Sequence, residues 1–298
     1  MDVGFGLPVS GAWAQPEIVA RVARRAEELG YRSLWTFQRV LVGVDQQLDP
    51  VYRSVLDPLV TLAFAAAHTS RIRLGVAVLN VPFVSPAIVA KQASTVDRLS
   101  GGRLDLGLGA GWSEVEFAAT GSDGARRGKR VEEFVQVLRT LWGDEVSSHA
   151  GEFYTVPPSR MAPKPVTRPG PPILLGGTVP AALKRAGRIA DGWVSSSRAD
   201  LSEIADSVDL VRQGAAEAGK DPAGVRVVVR GVLRTDPGVR LLHGEPDKVR
   251  GDLDALAVQG VTEVFLDLNW DPLIGSPDVS PEAATERASA LLEAYAPA

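Results

Sequence analysis

Two glycine-rich turns are the segments of this 298-residue sequence best suited to chemistry. The first turn, Gly107–Trp112, reads Gly-Leu-Gly-Ala-Gly-Trp. Its backbone can approach a flat ring or a phosphate closely, because glycine carries no side chain. The spacing differs from the G-x-G-x-x-G of dinucleotide-binding folds, so a plain turn between a strand and a loop stays open as the alternative.

The second turn, Gly176–Ala181, reads Gly-Gly-Thr-Val-Pro-Ala and leads into a segment of helical periodicity. Two glycines, the hydroxyl of Thr178 and the exposed N–H groups of a helix start are the donors that a phosphate needs. The competing interpretation is that Thr178 only caps the helix and that the glycines only form a turn. Both interpretations remain open on these residues alone.

Other types of catalytic site have little support. The chain has no cysteine, which excludes disulfides, thiolate catalysis and cysteine-ligated metals. The three histidines, His68, His149 and His243, are scattered and lack the spacing of a metal site, so no metal is expected. Glu114 and Glu116 follow the first turn, but two acids in a loop are most often solvated.

Composition and charge narrow the possible partners. Hydrophobic residues make up 45% and charged residues 23%, and the formal net charge is -4 without basic runs, so nucleic acid is not an expected partner. No segment approaches the ~20 apolar residues of a membrane span, and the N-terminal residues do not resemble an export signal. We therefore expect a cytoplasmic protein with a small-molecule substrate.

Short apolar runs alternate with helical periodicity along the whole chain, which is typical of βα units around a parallel sheet. Eight such runs predict a (β/α)8 TIM barrel, with residues 1–298 as one domain. The predicted strands are Val3–Leu7, Ser33–Phe37, Ile72–Leu79, Leu104–Leu108, Ile173–Leu175, Gly192–Ser195, Val225–Val232 and Val261–Leu268.

Two connections exceed the usual length, Gln38–Asp57 after the second strand and Gly143–Pro172 before the fifth. The second is rich in proline, which favours extended structure with few ladder hydrogen bonds. Because barrel active sites lie at the carboxyl ends of the strands, we expect substrate contacts from these loops and from Asn269–Val279.

Taken in order, these residues resemble the luciferase-like family, and in particular its members that use the deazaflavin coenzyme F420. The resemblance covers nearly the whole chain. It is carried by Ala26–Trp35, Asp57–Ala63, Arg71–Gly75, Ala90–Asp97, Ser100–Leu104, Gly109–Trp112, Gly176–Gly177 and Asp191–Trp193.

The resemblance implies a cofactor ring that lies across the barrel mouth. Ala77 and Val78 would support one face of the ring through a non-prolyl cis peptide bond, with Asn80 as a further cofactor contact. The remaining implied contacts are Gly109, Ala110, Gly111 and Trp112 for the ring or its side chain, and Gly176, Gly177 and Thr178 for the phosphate. Arg127, or its neighbour Arg126, would add a cation, although a solvated helix end is the alternative.

The sequence departs from the family pattern just after the second strand. Many relatives that use F420 have an Asp-His pair there, and this chain has Gln38 and Arg39, which are the candidate catalytic residues. A relative that acts on a sugar phosphate has a glutamate at the position where this chain has Trp112. Alcohol oxidation by a histidine base is therefore not expected, because arginine keeps its proton at any working pH.

The resemblance implies an oxidoreductase that transfers hydride between F420 and a small organic substrate, as a reductase of an activated double bond or carbonyl. An FMN-dependent monooxygenase of the same fold is the first alternative, and a barrel that binds cofactor without turnover is the second. Family members commonly pair, and Val60–Ala67 is unusually apolar, so we also expect a homodimer.

Overall fold

The computed structural model describes residues 1–234 and 240–297, and ten β-strands lie within them. They are β1 (Asp2–Gly6), β2 (Ser33–Thr36), β3 (Arg73–Asn80), β4 (Leu104–Gly109), β5 (Ser147–Ala150), β6 (Thr155–Ser159), β7 (Ile173–Gly176), β8 (Gly192–Val194), β9 (Arg226–Val232) and β10 (Glu263–Asp267). Eight of these strands pair in parallel and close in the order β1, β10, β9, β8, β7, β4, β3, β2. The predicted TIM barrel is confirmed, since each predicted strand overlaps one of these eight.

Nine α-helices of the described residues connect and surround the strands. They are α1 (Pro16–Glu28), α2 (Pro58–Ala66), α3 (Pro86–Ser100), α4 (Glu114–Ala119), α5 (Arg127–Gly143), α6 (Pro180–Ile189), α7 (Ile204–Glu217), α8 (Pro246–Val258) and α9 (Pro281–Ala294). Most of them begin at proline, whose fixed φ and missing N–H suit the first helical position. None of the described helices is both long and apolar enough to cross a membrane.

A layer of apolar and ionic side chains fills the barrel interior. Trp35 and Phe265 stack with ring centroids 5.1 Å apart. At the amino ends of the strands, buried Asp105 accepts hydrogen bonds from Arg73 at 2.7 Å and from Arg226 at 2.7 Å. Burial raises the pKa of Asp105, but the two guanidinium groups outweigh it and hold the pKa below its ordinary range. This end of the barrel is therefore closed by side chains.

The long connection before the fifth barrel strand is more regular than predicted. β5 and β6 form an antiparallel pair inside Gly143–Pro172, so the expectation of few ladder hydrogen bonds is wrong for this part. The Glu133 carboxylate on α5 anchors the hairpin, because it accepts hydrogen bonds from the backbone N–H groups of Phe153 at 3.0 Å and Tyr154 at 2.7 Å. The connection Gln38–Asp57 contains one short 3-10 helix, Pro50–Tyr52.

Candidate active site

A cleft of about 540 Å³ opens at the carboxyl ends of the barrel strands. Every site residue predicted from the sequence lines it, and they are Gln38, Arg39, Ala77, Val78, Asn80, Gly109, Ala110, Gly111, Trp112, Arg127, Gly176, Gly177 and Thr178. Another cleft of about 540 Å³ lies near the opposite end, beside Pro169 and Arg226. We assign the site to the first cleft, because active sites of TIM barrels lie at the carboxyl ends of the strands.

The floor of the cleft is flat and apolar around Val78. The peptide bond between Ala77 and Val78 is cis, as the resemblance implies, and the pairing of β3 with β4 shifts register there. A Cβ atom added at Gly109 would collide with the Val78 side chain, and one added at Gly176 would lie 3.3 Å from its Cγ1. The two glycines therefore make room for the Val78 side chain, which is partly exposed and offers an apolar contact to a planar ring.

Hydrogen bonds join the loops around this floor. The backbone N–H of Asn80 donates to Gln38 Oε1 at 2.8 Å, and Asn80 Oδ1 accepts from the N–H of Gly111 at 3.1 Å. Gly111 has a φ of +72°, which favours glycine, and its carbonyl accepts from Arg127 Nη1 at 2.8 Å. Within the described chain, the amide nitrogen of Gln38 is left free to bind a ligand.

Arg39 lines the cleft and is also held by an ion pair. Its Nη1 donates to Glu116 Oε2 at 2.6 Å, and Glu116 Oε1 accepts from the backbone N–H of Val40 at 2.7 Å. The guanidinium carbon lies 4.4 Å from the ring centre of Tyr52 and 4.5 Å from that of Trp112. The interpretation of Glu116 as a solvated loop acid is wrong, since α4 turns its side chain inward and leaves it 2% exposed.

The turn after β7 presents unused donors to the cleft. Helix α6 is preceded by Val179 as its N-cap residue, so the interpretation of Thr178 as the cap is wrong. The backbone N–H groups of Thr178 and Ala181 make no hydrogen bond to other described residues. Such N–H groups at the start of a helix form a favourable site for an anion.

At the start of α5, the side chains of Arg126 and Arg127 make different contacts. Arg126 forms an ion pair with Glu152 and lies 5.0 Å from the ring centre of Phe153. Only Arg127 of the two is among the described residues that line the cleft. The structure therefore favours Arg127 over Arg126 as the additional cation of the cleft.

The cleft lining carries a net positive charge. Its described lining contains no aspartate or glutamate, and it contains the five arginines Arg39, Arg127, Arg185, Arg198 and Arg230. A cleft lined by charges of one sign concentrates ligands of the opposite sign. The geometry thus combines a flat apolar floor with groups that bind anions, which suits a planar cofactor with a phosphate.

Arg230 on β9 is a lining residue that sequence reasoning missed. Its Nη2 donates to the carbonyl of Ala77 at 2.8 Å, and its Nε lies 3.3 Å from Asp267 Oδ2. Burial lowers the pKa of Arg230, and the Asp267 carboxylate opposes that shift. An arginine within the apolar run Val225–Val232 was the signal that could have identified it, because a charge inside a strand needs a specific partner.

The family model of the luciferase-like monooxygenases matches residues 5–237. The chain belongs to this family. An uncharacterized protein of Mycobacterium tuberculosis is 34% identical over 279 residues, which cover 89% of each chain. An FMNH2-dependent dimethylsulfone monooxygenase of Pseudomonas putida is 35% identical over 164 residues, which cover 54% of this chain and 45% of the relative. The resemblance drawn from the sequence is confirmed.

Two solved structures share the luciferase-like barrel over almost its full length. The monooxygenase RslO1 from Streptomyces bottropensis has a TM-score of 0.77 and 23% identity, and the match covers 98% of both chains. A coenzyme F420-dependent tetrahydromethanopterin reductase from Methanopyrus kandleri has a TM-score of 0.77 and 19% identity, covering 99% of this chain and 98% of the other. These similarities show the fold.

The cleft of this luciferase-like protein fits a flavin or deazaflavin. Both groups have a flat tricyclic ring and a phosphate on a flexible side chain, and the protein offers a matching surface for each part. Val78 between two glycines supports the ring, and the free N–H groups of Thr178 and Ala181 with Arg127 suit the phosphate.

Proposed function

We propose that this luciferase-like oxidoreductase depends on F420 and reduces an activated double bond or carbonyl of a small organic substrate. The observation that carries the proposal is the cleft lining, which has five arginines and no acid among its described residues. Three of the arginines pair with carboxylates outside the lining, and Arg127 and Arg198 have no such partner among the described residues. F420 carries a long acidic tail in addition to its phosphate, whereas FMN carries only the phosphate. A cationic cleft favours the cofactor with more negative charge.

The bound cofactor would supply a hydride, which carries both electrons, and the protein supplies position and charge. Negative charge grows on the substrate as the hydride arrives. Arg39 lines the cleft, and Glu116 and two aromatic rings hold its guanidinium in the cleft wall, so its fixed charge acts on that developing charge. A fixed cation that acts on developing charge lowers the barrier to reduction. Arginine does not release a proton, so the proton that completes the product comes from water or from another side chain.

The groups in the cleft favour reduction over alcohol oxidation. No histidine is among the described lining residues, and two of the histidines have partners elsewhere. His68 contacts Arg24 at 3.1 Å, and His149 contacts Glu133 at 3.2 Å. A base that takes a proton from an alcohol is therefore missing from the described lining.

An FMN-dependent monooxygenase is the second candidate. The observation in its favour is the similarity to the dimethylsulfone monooxygenase of Pseudomonas putida, which is FMNH2-dependent. That relative matches 54% of this chain, and the fold serves both chemistries. In this function, bound FMN would supply oxygen chemistry, and the same cleft residues would hold its ring and phosphate.

The two candidates are separated by following a labelled hydride. Reduced F420 that carries deuterium at the hydride position is mixed anaerobically with the protein and 2-cyclohexenone or an aldehyde. We expect oxidised F420 to accumulate and deuterium to appear in the product. Arg39→Lys keeps the ion pair but loses the planar donor fork, so its turnover is expected to fall about 10²-fold, while Arg98→Ala on the exposed side of α3 serves as control.

Other outcomes of this experiment contradict the proposal in different ways. Oxygenated product formed only with reduced FMN and oxygen identifies a monooxygenase. Binding of F420 without turnover of any tested enone, aldehyde or unsaturated acid supports a barrel that only binds its cofactor.

A further inference from the structure

The charges of the cleft are not equally available to a ligand. Arg39 pairs with Glu116, Arg185 with Glu132 at 2.9 Å, and Arg230 with Asp267. The two remaining lining arginines, Arg127 and Arg198, have no carboxylate partner among the described residues.

Of these two cations, Arg127 already has a position that suits the cofactor phosphate. It begins α5, donates to the carbonyl of Gly111 in the first glycine-rich turn, and lines the same cleft as the second turn. Arg198 lies in the loop after β8, and it is not one of the residues assigned to the cofactor. An exposed cation in a cleft indicates a ligand of opposite charge.

The loop after β8 places a second donor beside Arg198. Ser196 Oγ accepts a hydrogen bond from the backbone N–H of Arg198 at 3.1 Å, which fixes the turn, and Ser195 Oγ accepts from the N–H of Arg230 at 3.0 Å. Ser197 also lines the cleft, and its hydroxyl has no partner among the described residues. Ser197 and Arg198 are therefore adjacent donors that remain free for a carboxylate.

An apolar surface adjoins these donors. The Trp112 side chain is 47% exposed, and its ring centre lies 5.8 Å from the guanidinium carbon of Arg198. The ring of Tyr52 meets it edge-on at 6.2 Å between centroids. An exposed tryptophan in a cleft offers a flat contact area, on which an aromatic or conjugated group stacks.

We infer that Ser197, Arg198 and Trp112 form a substrate subsite for an organic acid, whose carboxylate binds the two donors and whose unsaturated body stacks on the indole. This inference rests on the proposed function, because it assigns the substrate class of the same cleft. It makes Arg198 the residue that determines specificity for charge and Trp112 the residue that selects a flat substrate.

The test compares an acid with its uncharged amide. The protein saturated with F420 is titrated calorimetrically with trans-cinnamate and with trans-cinnamamide, which differ in charge and share the flat body. We expect the acid to bind about 10-fold tighter, the effect of one charge-assisted hydrogen bond. Arg198→Ala should remove this preference and Arg198→Lys should restore part of it. Trp112→Ala should weaken both ligands, and Arg98→Ala should change neither.

Each contrary outcome has a separate meaning. Equal binding of acid and amide to the unmodified protein overturns the inference, as does a preference that Arg198→Ala retains. A third result also overturns it: if Arg198→Ala weakens F420 but not a deazaflavin without phosphate and tail, Arg198 belongs to the cofactor. Failure of F420 itself to bind would overturn the proposed function, and repeating the titration with FMN-loaded protein then tests the acid subsite alone.

Discussion

At the scale of single residues, Arg39 has two roles that the sequence could not connect. It lies after β2, and its partner Glu116 is on α4. The ion pair holds the loop after β2, and two aromatic rings hold the guanidinium in the cleft wall. A replacement at position 39 will therefore affect both stability and turnover.

The stability part is tested by a double-mutant cycle on the pair. Arg39 and Glu116 are 4% and 2% exposed, so Arg39→Ala leaves a buried carboxylate without compensation. We expect the free energy of unfolding to fall by about 3–5 kcal/mol for either single alanine variant, and the double variant to lose clearly less than the sum. Urea unfolding measures this, and losses that simply add would show that the pair is not coupled.

Thr178 provides a second test at this scale. Its side chain is exposed to the cleft and does not cap α6, so its hydroxyl is free to bind the cofactor phosphate. Thr178→Ala should weaken F420 binding by about 1–2 kcal/mol, as expected for one hydrogen bond to a charged group. Calorimetry gives the dissociation constant, and thermal unfolding should be unchanged. An unaltered dissociation constant would remove Thr178 from the site.

At the scale of elements, the local sequence pattern predicted the barrel strands, but it did not predict contacts between residues that are distant in the chain. Strands that are buried on both faces appear in the sequence as runs of apolar residues, and the glycines of the two turns come directly after such strands. The role of Arg230 depends on Asp267 of a neighbouring strand, which no local pattern reveals. The β5–β6 hairpin was missed because Pro157 and Pro158 lie within β6, a position that only an edge strand tolerates.

The junction of α1 with β3 predicts a pH dependence. The Glu27 carboxylate on α1 accepts hydrogen bonds from the backbone N–H groups of Ser70, Arg71 and Ile72 just before β3. Burial raises the pKa of Glu27, but these hydrogen bonds outweigh it and lower the pKa from 4.5 to about 2. The carboxylate therefore stabilises the fold above the unfolded-state pKa, and this contribution is lost as the pH falls through the folded-state value.

Glu27→Gln isolates this contribution. The variant should be less stable than the unmodified protein at about pH 7, and the difference should shrink as the pH falls below about 4.5 and vanish near about pH 2. Urea unfolding of both proteins across this range measures it. A difference that stays constant with pH would mean that the hydrogen bonds do not depend on the charge of Glu27.

At the scale of the whole molecule, we propose that two chains associate through α2. Val60 is 69% exposed and Phe64 is 39% exposed on this helix, and Leu56 just before it is 40% exposed. Burial of such a surface against a second copy removes apolar area from water. Light scattering should give twice the mass of the chain, and Val60→Glu with Phe64→Glu should give a monomer. Val258→Glu, which changes an exposed valine on α8, is the control.

The barrel itself does not decide the cofactor. Ion pairs close its amino end, and the open end carries the cleft, an arrangement that suits a flavin and a deazaflavin equally well in shape. The choice of F420 therefore depends on charge, and the net positive charge of the lining, with Arg127 unpaired among the described residues, is the physical basis of the central claim.

The most direct measurement of that claim is a titration of the purified protein with F420 and with FMN under the same conditions. We expect F420 to bind at least about 10-fold tighter, a preference that decreases with salt because exposed charges are screened. Arg127→Ala should weaken F420 binding. If FMN alone saturates the protein, or binds tighter than F420 at every salt concentration, the assignment of F420 is contradicted.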